Sequence, residues 1–203
     1  METMNPALRR IHRAALRLFA DKSAGQVNVS ELAKAAGVAR GTVYNNLAST
    51  DALFEEVAGQ LQAEMHQRIA NSFEGVTDPA QRIANGIRFF VRRAHEEPDW
   101  GRFLVRFAFS NAVLRSMWNA QPAEDLKQGL TSGRYRMRPD QVTSALTMTA
   151  GSTIASMTLV LEGHKTWRDA GSEVAELILV ALGVVPDEAR AIATVELPLL
   201  APV

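Results

Sequence analysis

An all-α fold is predicted by three features of this sequence. Apolar residues recur at the three-to-four spacing of a helix through most of the chain. No stretch of useful length alternates apolar and polar residues as a strand would. Cap and stop residues, among them Asn5-Pro6, Gly37, Asp78-Pro79, Glu97-Pro98 and Gly183, cut the pattern into helical lengths. With 203 residues, 47% of them hydrophobic, the chain has enough apolar surface for a real core.

The first helix starts at Asn5-Pro6 and turns Leu8, Ile11, Ala15, Leu18 and Phe19 to one face. Arg9, Arg13 and Arg17 follow one another elsewhere on it with no acid between them, a stripe that faces either water or phosphate. Asn28 caps the next helix, with Glu31 at its third position, and Gly37 stops it by adopting a left-handed conformation. A second short helix runs from Arg40 to Leu47 with Val43 and Leu47 turned inward. A long amphipathic helix spans Asp51 to Phe73, with Leu53, Phe54, Val57, Leu61, Met65 and Ile69 on one side. Further helices begin at Pro79, near Trp100, at Gln121-Pro122, at Pro139, at Ser172 and at Pro186, so that about nine or ten are expected.

The net charge is zero, but its distribution is uneven. Up to Thr50, seven Lys and Arg residues stand against three acids, a net of +4, and the rest carries −4. A basic first quarter points to an anionic partner, most simply nucleic acid. Two short helices joined at Gly37 form a helix-turn-helix arrangement, in which the second helix enters the major groove by its N-terminal end. Arg40, Gly41 and Thr42 occupy that end, and Gly41 leaves room for a sugar or backbone to approach. Tyr44, Asn45 and Asn46 follow with donors and acceptors for phosphates and base edges. The plainer reading of the same residues is a helical hairpin with a solvated polar face.

At these residues the sequence resembles the TetR-like one-component transcription regulators. The resemblance runs from Ala14 to Phe19 ("AALRLF"), through Val29 to Leu47 ("VSELAKAAGVARGTVYNNL"), to Ser49 to Val57 ("STDALFEEV"). It implies a three-helix DNA-binding head over residues 1–50 and an all-helical ligand-binding and dimerisation body over residues 51–203. It also implies a sequence-specific regulator, usually a repressor released by a small molecule. Arg40, Gly41 and Asn45 would then face bases, and Thr42, Tyr44 and Asn46 would mainly hold phosphates, with Asn28 counted in the same DNA-facing set. The chain departs from the family where Ala39 replaces the usual Ser cap, where Asn46-Leu47 replaces a frequent His-Phe pair, and where Thr50 replaces a phosphate-binding Lys. Weaker or more salt-tolerant binding is the expected consequence.

Residues 141–161 contain no charge, yet their many Ser and Thr residues are too polar for a lone lipid-exposed span. The resemblance makes this helix and the one over residues 172–183 a homodimer interface, with Gly151 and Ala155 allowing close approach. Phe90, Phe103, Phe107 and Trp118 are the aromatic candidates for an effector pocket, and the effector is expected to be apolar. His66, His95, Arg106 and Asn111 are candidate polar orienters, and Arg134 to Arg138 form either an anion site or a solvated loop. The histidines at 12, 66, 95 and 164 lack metal-ligand spacing, and no phosphate loop or nucleophile elbow is present, so neither cofactor nor catalysis is expected. Without cysteine or a signal-peptide pattern, the expected location is cytoplasmic. A protein-association module with weakened DNA binding and an all-α enzyme are the rival functions.

Overall fold

Asn5 starts the first helix as its sequence position predicts, with Oδ1 accepting the Ala7 N–H at 3.0 Å and Pro6 in the first turn. The structure, a computed structural model, describes residues 5–202. Glu2, counted in the charge of the head, lies outside the described residues. Among these, eleven α-helices follow in order: α1 Pro6–Asp21, α2 Val29–Ala36, α3 Arg40–Asn46, α4 Thr50–Ser72, α5 Pro79–Glu96 and α6 Pro98–Phe107, then α7 Ala112–Asn119, α8 Gln121–Thr131, α9 Val142–Leu161, α10 Trp167–Ala181 and α11 Pro186–Thr194.

The head packs α1, α2 and α3 around the buried side chains of Ile11, Phe19, Leu32 and Val43. Leu53, Phe54 and Val57 at the start of α4 complete the same core, so this helix is part of the head before it enters the body. In the body α5 is central, packing on α6, α8, α9, α10 and α11. Its Ile83, Ile87, Phe90 and Val91 are buried, the face that the helical period marks. The Pro139–Leu161 span is long and apolar enough, by length and composition, to cross a membrane, with a mean hydropathy of 1.3. In the fold α9 packs against α5, α6, α8 and α10.

Two elements differ from the sequence reading, and one of them, α7, brings the helices of the described residues to eleven rather than nine or ten. Helix α7 has neither Pro nor Gly to announce it; its start is the Asn111 side chain, whose Oδ1 accepts the Leu114 N–H at 3.0 Å. Helix α10 begins at Trp167, five residues before Ser172, because Thr166 Oγ1 accepts the Asp169 N–H at 3.1 Å. Gly171 lies inside α10, where a Cβ would lie 3.4 Å from Arg88 Cγ on α5.

The turn that aims α3 depends on Gly37, which has φ 62° and ψ 41°. Its N–H donates to Lys34 O at 3.3 Å, and the Val38 N–H donates to Ala33 O at 3.0 Å, the paired bonds of a Schellman ending. No neighbouring atom lies within 4 Å of a Cβ built there, so a side chain would be opposed only by its own backbone. Gly37→Ala should therefore cost about 1 kcal/mol of stability in urea unfolding. A cost near zero would show that the left-handed turn is not required.

Candidate nucleic-acid interface and internal cavity

Helix α3 has two unlike sides. Val43 is fully buried and Leu47 packs beside it, which anchors the helix to the head. Arg40, Gly41, Tyr44 and Asn45 are exposed on the other side, Tyr44 by 68%. Thr42 and Asn46 are half-buried, and Asn46 Nδ2 donates to Thr42 O at 2.7 Å, so that amide is partly committed to its own helix. Asn28 is committed as well, since its Oδ1 accepts the Glu31 N–H at 2.9 Å as the cap of α2. Ala39 gives α3 no side-chain cap. Gly41 has ordinary helical geometry and nothing within 4 Å of a built Cβ, so no contact of the fold calls for a glycine there. Arg9, Arg13 and Arg17 on α1 are exposed, with Arg17 Nε 3.8 Å from Asp99 Oδ2.

Where head meets body, Phe54 of α4 is ringed by Phe19 at 5.3 Å, Phe103 at 5.5 Å and Phe107 at 4.9 Å between ring centroids. Phe103 and Phe107 thus belong to this aromatic junction and are not among the residues that line the body cavity described next. Polar contacts surround it. Arg106 Nη1 donates to Asp21 O at 3.0 Å, and Asn111 Nδ2 donates to Glu55 Oε1 at 2.9 Å. His12 Nδ1 lies 2.7 Å from Gln60 Oε1, while its Nε2 lies 3.3 Å from Glu56 Oε2. Arg106 and Asn111, considered above as orienters of a ligand, instead tie α6 and the start of α7 to the head and to α4.

A cavity of about 60 Å³ lies in the body among α4, α5, α7, α8 and α9. Phe90 and Trp118 both line it, with ring centroids 4.7 Å apart. His66 lines it too, whereas His95 is exposed elsewhere. Ile69 and Phe73 contribute the wall from α4, and Leu146, Thr149 and Thr153 the wall from α9. Sequence reasoning missed its charged pair: Arg82 Nε donates to Asp125 Oδ1 at 2.7 Å, and Gln121 Nε2 donates to the same oxygen at 3.0 Å. Arg82 also lies over the Phe73 ring at 4.8 Å. Burial pushes the Asp125 carboxyl above the usual carboxylate range, more than the Gln121 hydrogen bond and the Arg82 charge pull it down. The one cue in the sequence was a carboxylate beside Leu126 on the apolar side of α8.

Two of the three arginines in the run before α9 are ion-paired within the chain. Arg134 reaches Asp78 at 3.0 Å and Glu188 at 3.0 Å, and Arg138 reaches Asp140 at 3.0 Å. Among the described residues no group of three or more His, Asp or Glu residues is placed to hold a metal ion.

Residues 78–195 match the model described as the tetracyclin repressor-like C-terminal domain, and residues 11–57 match that of the bacterial regulatory proteins of the tetR family. The chain belongs to the tetR family. An uncharacterised HTH-type transcriptional regulator of Mycobacterium tuberculosis is 30% identical over 89 residues, a match spanning 44% of this chain and 44% of that relative. RolR in complex with resorcinol superimposes with a TM-score of 0.73 at 27% identity, covering 96% of each chain. The fatty acid degradation regulator FadR of Bacillus halodurans shares the fold, with a TM-score of 0.76 at 19% identity over 91% of this chain and 100% of that one.

Arg82→Met would strip the cation from a carboxylate whose side chain is only 3% exposed. A loss of about 3 kcal/mol at neutral pH is expected in urea unfolding. The folded carboxyl already binds its proton more readily than the unfolded one, so the loss should shrink as pH falls and the acid becomes neutral. Equal losses at neutral and acidic pH would show that the unpaired charge is not the cause.

Proposed function

We propose that this tetR-family chain is a dimeric, sequence-specific DNA-binding repressor of the cytoplasm, released when a small effector enters the body cavity. The observation that carries the DNA-binding reading is the outer side of α3. It exposes Arg40, Gly41, Tyr44 and Asn45 together, and its glycine answers no contact within the chain. On this reading Arg40 and Asn45 read base edges, Gly41 admits a sugar or backbone, and Thr42, Tyr44 and Asn46 hold phosphates. Asn28, whose Oδ1 is taken up in capping α2, contributes on this reading through its amide N–H₂ toward a phosphate. The uncapped start at Ala39 leaves the first N–H groups of α3 available to a phosphate.

An unpartnered apolar face supports the dimer. Met148 and Leu159 on α9, and Leu177 and Val180 on α10, are exposed, with Leu177 69% accessible. Gly151 and Ala155 lie on the same side of α9, and nothing stands within 4 Å of a Cβ built at Gly151. Two copies joined there would set their α3 helices about 34–36 Å apart, one turn of DNA.

The cavity is the effector site in this proposal. The reading is supported by RolR, which is similar in fold and is described in complex with resorcinol, a single-ring compound. An occupant would press on Ile69 and Phe73 of α4, the helix whose first turns are held in the head by Phe54. A shift of α4 then changes the spacing of the two α3 helices, for which a coupling of about 1–3 kcal/mol suffices.

Titration of the protein against DNA from its own upstream region at several salt concentrations tests the reading. With about 6–10 phosphate contacts, affinity should fall by roughly 10³ to 10⁵ between 50 and 200 mM salt. Tyr44→Ala should weaken operator binding by about tenfold without loss of helicity, as expected for one hydrogen bond to a charged phosphate. A flat salt dependence together with an unaffected Tyr44→Ala variant would leave protein association as the better reading.

A further inference from the structure

We infer that the effector is an uncharged single-ring compound bearing a hydroxyl or carbonyl oxygen, held by the Trp118 indole N–H and the Thr149 hydroxyl. The inference rests on the cavity being the effector site and names the chemistry that the site selects.

Size sets the first limit. The cavity of about 60 Å³ is smaller than the roughly 150 Å³ of an apolar cavity that takes benzene, so a single ring enters only as the walls give way, and a long acyl chain or a fused ring system does not enter. The rings of Phe90 and Trp118 and the side chains of Ile69, Ile87 and Leu146 give it apolar walls suited to an aromatic ring.

Two polar atoms set the second limit. Trp118 Nε1 and Thr149 Oγ1 are buried without a hydrogen-bond partner, and both residues line the cavity at 7% and 6% exposure. Burial of an unpaired donor or hydroxyl is costly, and native proteins supply such groups with a partner. The other buried unpartnered atoms, on His12, Arg88, Trp100 and Tyr135, belong to residues that do not line this cavity. Thr149 is also unlike its neighbours on α9. Thr147, Thr153 and Thr158 each donate to the carbonyl four residues back, at 3.0, 2.7 and 3.1 Å, whereas Thr149 makes no such bond. An oxygen on the ring would accept from the indole, and the hydroxyl of Thr149 can donate to that oxygen or accept from a phenolic O–H.

Charge sets the third. Arg82 already donates to Asp125 and to Val76 O and lies over Phe73, so the arginine of the wall is committed, and His66 is the other basic side chain that lines it. Asp125 in turn is held by Arg82 and Gln121. A carboxylate would enter beside the buried Asp125 carboxylate, with the exposed His66 as the one basic side chain of the lining not already paired. The effector expected from the sequence was apolar; these atoms require a polar substituent on an apolar ring.

Calorimetric titration of the full chain with resorcinol, phenol, toluene and benzoate tests this, with tryptophan fluorescence followed in parallel. Resorcinol and phenol should bind at least about tenfold tighter than toluene, the worth of one hydrogen bond otherwise left unmade, and benzoate should bind weakest. Thr149→Val keeps the shape and removes a hydroxyl that has no partner, so the variant should fold with unchanged or raised Tm. It should lose about tenfold in phenol affinity while toluene binding is unchanged, and Thr149→Ser should restore phenol binding. Trp118→Phe should cause a comparable loss and abolish the fluorescence response to phenol. Equal binding of toluene and phenol, tightest binding of benzoate, or full phenol affinity in Thr149→Val would overturn the inference and leave the cavity as an effector site. If none of the four compounds binds, both the inference and the effector-site reading fall.

Discussion

Phe54 is packed into two groups of side chains at once, and the arrangement of the whole molecule follows from that. On one side it meets Phe19 of the head, and on the other Phe103 and Phe107 of the body. Helix α4 therefore cannot be detached from either part without exposing aromatic surface. Burial of each such ring contributes roughly 2 kcal/mol, so separation would cost more than the about 1–3 kcal/mol that typically couples two sites. On the proposed mechanism the effector must slide or tilt α4 with its junction intact. A rigid helix held at one end by an aromatic cluster and pressed at the other by a ligand is suited to that.

The lower half of α4 is held differently. Glu64 accepts from Arg93 Nη2 at 2.8 Å and from Arg68 Nη1 at 3.2 Å, and Arg93 Nη2 also reaches Glu97 Oε2 at 3.1 Å. The C-terminal segment adds backbone partners, since Arg68 Nε donates to Ala201 O at 3.1 Å and the Ala201 N–H donates to Ser72 Oγ at 2.8 Å. Polar bonds of this kind shift by small steps more readily than an interlocked aromatic core does. The cavity lies beside this end of α4.

The individual readings fared differently for physical reasons. Helix ends marked by local chemistry were legible: Asn5, Asn28 and Gly37 act on backbone groups within a few residues, and the structure has them in those roles. Helix α7 was missed because its signal is a single Asn at residue 111 with no Pro or Gly beside it. The start of α10 was placed late, at Ser172, whereas the cap is Thr166, whose Oγ1 accepts the Asp169 N–H. Phe90 and Trp118 came together with Arg82, Asp125 and Thr149, whereas Phe103 and Phe107 went to the junction. All four aromatics have the same character and helical spacing, so nothing local separates those that seal a joint from those that border a space.

From the sequence alone came the all-helical class, the basic head, the turn at Gly37 and the polar residues of α3, because each rests on periodicity, charge or a contact within one or two turns. Tertiary structure alone decided that Thr149 and Trp118 share a cavity with an ion pair, and that Phe54 joins the rings of α1 and α6 in one core. Those outcomes depend on the crossing of helices distant in sequence. Distance along a chain carries no record of which side chains will meet when the helices pack.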